Sequence, residues 1–501
     1  MNRIVLDPTH QPIDYAQIDI RHWNRVHFIG VGGAGMSVLA EMLLEEGVAV
    51  SGSDAARNAK TQRLESLGAT VYEGQEASHV NGASIVVYSS AIKPDNPEIV
   101  SAYEQGIVVM HRSDILATLM AHKYAITVAG AHGKTTTSAM ISQIFVSAGH
   151  GELADPSFAI GGSIHTPEGL HDGGHAGKGS VLVAEADESD GSFEKYRPQL
   201  AVITNVEPDH LDHYGSKEAF AQAFIEHAMH ATEHVIVCGD DLGALSVVRS
   251  MSDDVRKAAI VYTTDETLEL PFAQVVTIHA DSSTADDGGQ DFSVSWPKRL
   301  HDERIHVHIR VPGLHNVRNA TAALIAAIMA GIDAHDAARA LDDFRGAARR
   351  FDIKDVVNGI AVVDDYAHHP TEVSALMNAA RARYPHSRIR VLFQPHLFSR
   401  THYFASEFAR ALSLADEAIV TGIFPAREFQ KDWPEVSAQT IVDAARAEGI
   451  NDKRIVAIED MNVAASQLAH TARPGDAIFT VGAGSITKMA DAIVEQLHER
   501  F

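Results

Sequence analysis

The sequence predicts an α/β protein of three domains, each built on an open and largely parallel sheet. Three observations carry that expectation. Short apolar runs repeatedly exit into glycine or polar residues and are followed by apolar positions at helical spacing. A glycine-rich turn, Gly30 to Gly35, and a phosphate-loop turn, Gly130 to Thr135, each stand between such a strand and such a helix. At 501 residues the chain has the length of about three ordinary domains. The expected divisions are an extension at 1–24, a Rossmann-like domain at 25–121, a central P-loop ATPase-type domain at 122–348 and a C-terminal Rossmann-like α/β domain at 349–501.

Taken in order, residues 1–24 read as a polar extension without recognisable chemistry. Val26 to Ile29 reads as a strand, Met36 to Glu46 carries a helical apolar face, and a second strand, Val48 to Val50, leads to Asp54. Glycines between that first strand and helix admit a pyrophosphate to the helix N-terminus, with an acidic residue about 20 positions on. The pattern alone does not choose among nucleotides, and a plain helix-packing turn is the alternative. Ile85 to Tyr88 is another buried strand, ending in Ser89 and Ser90, and strand ends are where ligands sit in parallel sheets.

In the central segment Ala125 to Val128 forms a strand, and Met140, Ile141, Ile144, Phe145 and Ala148 recur at helical spacing. Gly130 and Gly133 leave backbone N–H groups free to converge on an anion. Lys134 would reach the β- and γ-phosphates and Thr135 would place a hydroxyl on Mg²⁺. Val128 stands where the general pattern has glycine, so the loop is a shorter variant for ATP or GTP. The Gly/His-rich stretch 161–180 reads as a mobile surface loop; His150, His165, His171 and His175 are a metal set or, as their irregular spacing favours, solvated loop residues. Glu185, Asp187, Glu188 and Asp190 end the next strand and would offer hard oxygen ligands beside the phosphate loop. Leu200 to Ile203 exits into Thr204, Asn205, Glu207, Asp209, His210 and Asp212, with His210 a metal ligand, a phosphate contact or a structural group.

Farther on, His234 to Cys238 extends the sheet and 281–291 reads as an exposed acidic loop. Asn316 and Asn319 open an alanine-rich helix, where their amides would read a purine edge or cap the helix. Arg345, Arg349 and Arg350 would clamp phosphate or serve as surface charge. The last third alternates strands and helices again, with a Gly482-Ala483-Gly484 turn before its final helix.

Composition narrows the classes. Hydrophobic residues at 45% and charged residues at 21% belong to a soluble globular chain. With no apolar run of about 18 residues and no signal-peptide core, a cytoplasmic protein without membrane contact is expected. The balance of 41 basic against 66 acidic side chains, a net charge of −25, argues against nucleic acid as a partner. Cys238 is the only cysteine, which excludes intrachain disulfides and cysteine-ligated zinc.

The combination of these turns with EADESD, TNVEPDH, HNVRN, ARRFD, DDYAHHPTE, FQPHLFSRT and GAGSITK resembles the Mur ligases of bacterial peptidoglycan synthesis, over about residues 25–490. Within the family the motifs look most like the alanine-adding branch. The resemblance implies ATP-dependent addition of L-alanine to the lactyl carboxylate of UDP-N-acetylmuramate through an acyl phosphate, with ADP and phosphate released. It also implies a UDP-sugar-binding first domain, an ATP-binding central domain and an amino-acid-binding third domain. Gly130, Ala131, His132, Gly133, Lys134, Thr135 and Thr136 would form the ATP loop, and Thr135, Glu185 and His210 would ligate Mg²⁺, two ions in all. Asn316 and Asn319 match adenine-contacting positions, Arg350 the arginine that reaches the γ-phosphate, and Asp365 a nucleotide contact. Tyr366, His368, His369 and Arg400 fall where the amino acid is positioned; Lys134, Glu185, His210, Arg350 and His369 form the catalytic set. Gly32, Gly33, Gly35, Met36, Ser53, Asp54 and Ser90 would hold the UDP moiety. Hinge closure around Arg345 to Lys354 and a monomer or homodimer are expected.

Three positions depart from the family pattern: Ala131 for threonine, Ala367 for glycine and Leu397 for arginine, the last removing a charge near the amino-acid site. No lysine stands where other branches carry a carbamylated one. The nearest rival, a murein-peptide recycling ligase, usually reads G-x-C-G-T where this chain has VGGAGM. An NAD-dependent dehydrogenase leaves ARRFD and DDYAHHP without a role. A non-catalytic nucleotide sensor has no need of Lys134, Thr135, Glu185 and His210 together.

Overall fold

The computed structural model describes all residues except 1–3, 11–13, 167–168, 172, 286–287, 298–302, 427 and 451–453. Three open α/β sheets carry the fold, as the strand pattern requires. The chain forms two compact units, one of residues 1–280, 292–308 and 318–344, the other of 281–291, 309–317 and 345–501.

The first sheet comprises β1 (Val26–Ile29), β2 (Val50–Asp54), β3 (Thr70–Glu73), β4 (Ile85–Tyr88) and β5 (Val108–His111), in the order β3-β2-β1-β4-β5. Every pairing is parallel. β1 and β4 are buried along their whole length, which explains their apolar character; β1 also buries His27, whose Nδ1 lies 2.9 Å from Ser51 Oγ. The order reverses between β1 and β4, so a crevice opens at their carboxyl ends, bounded by the Gly30 turn and Ser90. Helix α1 (Ala34–Glu45) leaves that turn, α2 (Ala59–Ser66) starts at an Asn58 capping box, α3 (Pro97–Gln105) runs from an Asn96 cap to a left-handed Gly106, and α4 (Arg112–Met120) begins directly after β5.

The second sheet centres on β6 (Tyr124–Ala129), which feeds the phosphate loop and helix α5 (Lys134–Ala148). Its other strands are β7 (Ser157–Ala159), β10 (Gly174–His175), β11 (Val181–Glu185), β12 (Leu200–Ile203), β13 (His234–Cys238), β14 (Ala259–Thr263), β15 (Gln274–Thr284), β16 (Gln290–Ser295) and β17 (Ile305–Ile309); β8 (Ile164–Thr166) and β9 (Gly169–His171) form a separate antiparallel pair. The order is β10-β7-β11-β6-β12-β13-β14-β15-β16-β17. Register sets the site: Glu185 pairs with Val128 and Ile203 with Ala129, so the exits of β11, β6 and β12 lie side by side. Cys238, at the end of β13, is a buried free thiol that burial pushes up to about 11.

Three expectations need correction. The Gly/His-rich stretch is not simply a loop, since it supplies β8, β9 and β10; its residues 167–168 and 172 lie outside the described set. The acidic segment 281–291 contributes Asp281 to Thr284 to β15 and Gln290 to β16, with 286–287 outside the described residues. Within the extension, Asp14 and Asp19 cap two short 3-10 turns, and Tyr15 is buried with its hydroxyl donating to Asp114 Oδ1 at 2.6 Å. Asp114 also accepts from Lys195 Nζ at 2.7 Å, so one buried carboxylate joins the extension, α4 and the loop after β11. One apolar cluster runs from Tyr15 through both sheets of this unit to Ala273, and a separate one gathers Ile29, Val86 and Tyr88 of the first sheet with Val80 and Ile99.

In the other unit the third sheet contains β18 (Asp352–Val357), β19 (Ile360–Asp365), β20 (Arg388–Phe393), β21 (Glu417–Val420), β22 (Ile455–Ala457) and β23 (Asp476–Val481), ordered β18-β19-β23-β20-β21-β22. Only β18 pairs antiparallel. Asp365 and Phe393 both register with Val481, which brings the exits of β19, β23 and β20 together. Among the described residues no helix is long and apolar enough to cross a membrane.

Candidate active site

The phosphate loop tolerates no side chain at its two glycines. Gly130 has φ +141° and a Cβ there would stand 2.1 Å from Thr204 Oγ1; Gly133 has φ +81° and its Cβ would meet Asn319 Oδ1 at 2.7 Å. The loop is fastened to the exit of β12. Thr204 Oγ1 and Asn205 Nδ2 donate to the His132 carbonyl at 2.5 and 2.8 Å, and the His132 N–H donates to Asn205 Oδ1 at 3.0 Å. Lys134 opens α5 and donates through Nζ to the Gly130 carbonyl at 2.6 Å and to both Glu188 oxygens at 2.8 and 3.0 Å. Burial pulls its pKa down, but Glu188 and Asp187 outweigh burial and hold it above the ordinary lysine value. Lys134 is therefore a cation.

The EADESD carboxylates divide their work. Glu185 accepts from the Gly161 N–H at 2.9 Å, and Asp187 accepts from Arg112 Nη2 at 2.8 Å. Burial would raise the Asp187 pKa, yet Arg112 and Lys134 hold it well below the carboxylate range. Asp190 accepts from Ser90 Oγ at 2.5 Å and from Arg112 at 3.4 Å, with His111 Nε2 3.5 Å away. His210, in a left-handed conformation at φ +51°, places Nε2 3.7 Å from Asp209 and 4.0 Å from Glu188. Its Nδ1 is buried without a hydrogen-bond partner among the described residues. Thr135, Glu185, Glu188 and His210 offer the hydroxyl, carboxylate and imidazole donor types that a divalent cation takes as ligands.

At the first sheet, the Gly32 N–H donates to Asp54 Oδ2 at 2.8 Å, and a Cβ on Gly32 would collide with Asn58 Nδ2 at 2.5 Å. Gly33 caps α1, Gly35 lies in its first turn, and Met36 is buried. The Ser53 hydroxyl faces inward and donates to Glu98 at 2.6 Å, whereas Ser90 stands at the crevice on Asp190. Of the expected UDP set, the structure therefore brings the glycines, Asp54 and Ser90 to the crevice edge and turns Ser53 into the core.

The second unit gathers its own group. Asp365, at the end of β19, accepts from the N–H groups of Phe351 and Ala367 at 2.7 and 2.8 Å, and burial pushes its pKa up to about 6. The guanidinium groups of Arg349 and Arg350 each lie 4.8 Å from the Tyr366 ring centre. Arg349 binds Asp364 at 3.2 Å and donates to the Gly482 carbonyl at 2.5 Å, so the Gly482 turn spends a carbonyl on a cation; Arg345 is exposed. Glu372 accepts from the His368 and His369 N–H groups at 2.9 and 3.1 Å and approaches Arg350 to 3.9 Å. Arg400 is buried, with Nη1 3.2 Å from His396 Nδ1, and the His396 ring is 5.5 Å from that of His368. Leu397 is buried with φ +68°. Asn316 Nδ2 donates to the Pro312 carbonyl at 2.8 Å at the head of helix Leu314–Met329, while Asn319, one turn on, faces Gly133.

Sequence reasoning singled out Lys134, Thr135, Glu185 and His210 but passed over Arg112 and gave Glu188 and Asn205 no individual role. A signal for Arg112 exists: it directly follows the apolar strand ending at His111, and strand exits are ligand positions in parallel sheets.

Profiles of known families match the chain in three blocks: "Mur ligase family, catalytic domain" over residues 25–124, "Mur ligase middle domain" over 128–327 and "Mur ligase, glutamate ligase domain" over 349–484. A Bifidobacterium adolescentis protein named UDP-N-acetylmuramate--L-alanine ligase is 57% identical, with 99% of this chain and 96% of the relative covered. The solved UDP-N-acetylmuramate-alanine ligase of Thermotoga maritima superposes with a TM-score of 0.73 at 27% identity, covering 96% of this chain and all of its own. A murein peptide ligase from Psychrobacter arcticus shares the fold at TM-score 0.66 and 24% identity, covering 94% and 98%.

Proposed function

The chain belongs to the Mur ligase family, and on that premise we propose that it joins L-alanine to the lactyl carboxylate of UDP-N-acetylmuramate at the expense of ATP. The observation that carries the chemistry is the alignment of three strand exits, which sets the Lys134 loop between the Glu185 strand and the His210 segment. In the first step a lactyl carboxylate oxygen attacks the γ-phosphorus and ADP leaves; in the second the alanine amine attacks the acyl phosphate and inorganic phosphate leaves. Anion meets anion in the first step, so positive charge at the transferring group governs the barrier. Lys134 supplies it, exchanging Glu188 for phosphate oxygens. The loop N–H groups and the N-terminus of α5 orient the phosphates. Thr135, Glu185 and His210 would hold Mg²⁺, two ions being proposed, which supplies further charge neutralisation. Gly32, Gly33, Gly35, Asp54 and Ser90 are assigned to the nucleotide sugar. In the second unit Tyr366, His368, His369 and Arg400 are assigned to the amino acid, and Arg350 and Asp365 to the nucleotide.

The test is phosphate release from ATP with UDP-N-acetylmuramate, with and without L-alanine, followed by mass spectrometry. Release that requires both substrates and a product heavier by one alanine residue is expected. Release that requires a tripeptide instead would transfer the reaction to the recycling ligase.

A further inference from the structure

We propose that Arg112 is a positioning residue of this reaction, a fork that holds the Asp187–Asp190 segment against the first sheet and carries occupancy of the glycine-rich turn to the ATP loop. The inference rests on the ligase reading above. Arg112 directly follows β5 and opens α4, so it stands at the ligand edge of the first sheet. One arm of its guanidinium, Nη1, lies 3.9 Å from where a Cβ on Gly35 would stand, against the first turn of α1. The other arm, Nη2, donates to Asp187 at 2.8 Å and to Asp190 at 3.4 Å. Asp190 in turn accepts from Ser90, the residue across the crevice from that glycine turn.

The next residue in the chain after Asp187 is Glu188, which holds Lys134 through both carboxylate oxygens. Two cations, one at each sheet's ligand edge, are thus tied by adjacent carboxylates. The segment is stiff: Ser189 closes on Asp187 through its N–H at 3.2 Å and its hydroxyl at 3.1 Å, and the Ser192 N–H donates to Asp190 at 3.1 Å. A nucleotide-sugar diphosphate arriving at the glycine turn draws on the same guanidinium as Asp187. Any shift of Arg112 therefore reaches Glu188 one residue away, and with it the carboxylate that ATP must displace from Lys134. By linkage the two substrates bind with mutual dependence, and Arg112 sets its size. A merely structural ion pair would contribute to stability and leave that dependence untouched.

Calorimetric titration of the full chain with a non-hydrolysable ATP analogue and Mg²⁺, in the absence and presence of saturating UDP-N-acetylmuramate, reads the dependence directly. In the wild type the nucleotide sugar should change analogue affinity by roughly fivefold or more. Arg112→Lys keeps the charge and loses the fork; it should bring the ratio to about twofold or less, with a retained cooperative melt. Arg112→Ala should bring the ratio to one. A wild-type ratio of one, or a ratio unchanged in Arg112→Lys and in Arg112→Ala, overturns the inference while leaving alanine ligation by the wild type intact. Failure of the wild type to bind UDP-N-acetylmuramate overturns the ligase reading and this inference with it.

Discussion

Lys134 illustrates how a single residue is set for its task by its neighbours. Three carboxylates, Glu188, Asp187 and Glu185, keep it charged within a half-buried loop, and the closest of them, Glu188, is the group that a phosphate would displace in the proposed reaction. Lys134→Ala should lower kcat on the order of 10²–10³-fold, with acyl phosphate no longer trapped in a rapid-quench experiment; a normal quench amplitude would remove the loop from the chemistry. Gly130→Ala forces a Cβ against Thr204 at φ +141° and should destabilise the chain by about 1–3 kcal/mol while weakening ATP binding at least tenfold; unchanged nucleotide affinity by fluorescence titration would contradict that geometry. Residues of the loop were legible in the sequence because the motif is local: glycine, lysine and threonine act within one turn of one another. The partners of Arg112 and Asn205 were not, because only the strand order brings them near, although Arg112 itself stands at a legible strand exit. Ser53 shows the converse. It precedes Asp54 on a strand, where successive side chains face opposite sides, and its hydroxyl points at Glu98.

At the scale of the element, strands buried on both faces were legible from their mainly apolar runs, and Val26–Ile29, Ile85–Tyr88, Leu200–Ile203 and His234–Cys238 coincide with their expected limits. The short strands of the Gly/His-rich stretch carry no such run. Gly174–His175 exists because β7 offers it a partner and because Gly174 fits closely on the Val38 backbone of α1. His175 then bridges Glu45 of α1, at 3.2 Å, and Asp155, at 2.9 Å. Hydrogen bonding to Glu45, opposed by burial and aided by Asp155, lifts its pKa to about 9. Since the folded value exceeds the ordinary histidine value, the stabilisation is complete below about pH 6.5 and is lost as pH rises through about 9. Wild-type Tm should therefore fall by about 1–2 °C more than that of His175→Gln between pH 7 and pH 9.5. Equal slopes in a scanning experiment would show that the bridge carries no charge.

On the scale of the whole molecule, each unit owns its core. The first runs continuously through two sheets, whereas the second is built on Phe351, Phe393, Phe408 and Phe479 on one face of its sheet and Ile478, Ile486 and Ile493 on the other. Phe479→Ala removes a fully buried ring packed edge-on against Phe351, and should cost the second unit about 3–5 kcal/mol. Calorimetry of that variant should show one transition moved down and one in place; a single shifted transition would mean that the units unfold together. The alternation of strands and helices made the sheets legible from sequence, but the shared core of the first two sheets was not, because Tyr15, Asp114 and Lys195 are far apart in the chain and meet only after folding. The sealed thiol of Cys238 gives this molecule a built-in stopwatch. A disulfide reagent added to the folded chain meets a buried sulfur, so every labelled molecule marks one opening around β13 of the second sheet, timed without any dye or engineered probe.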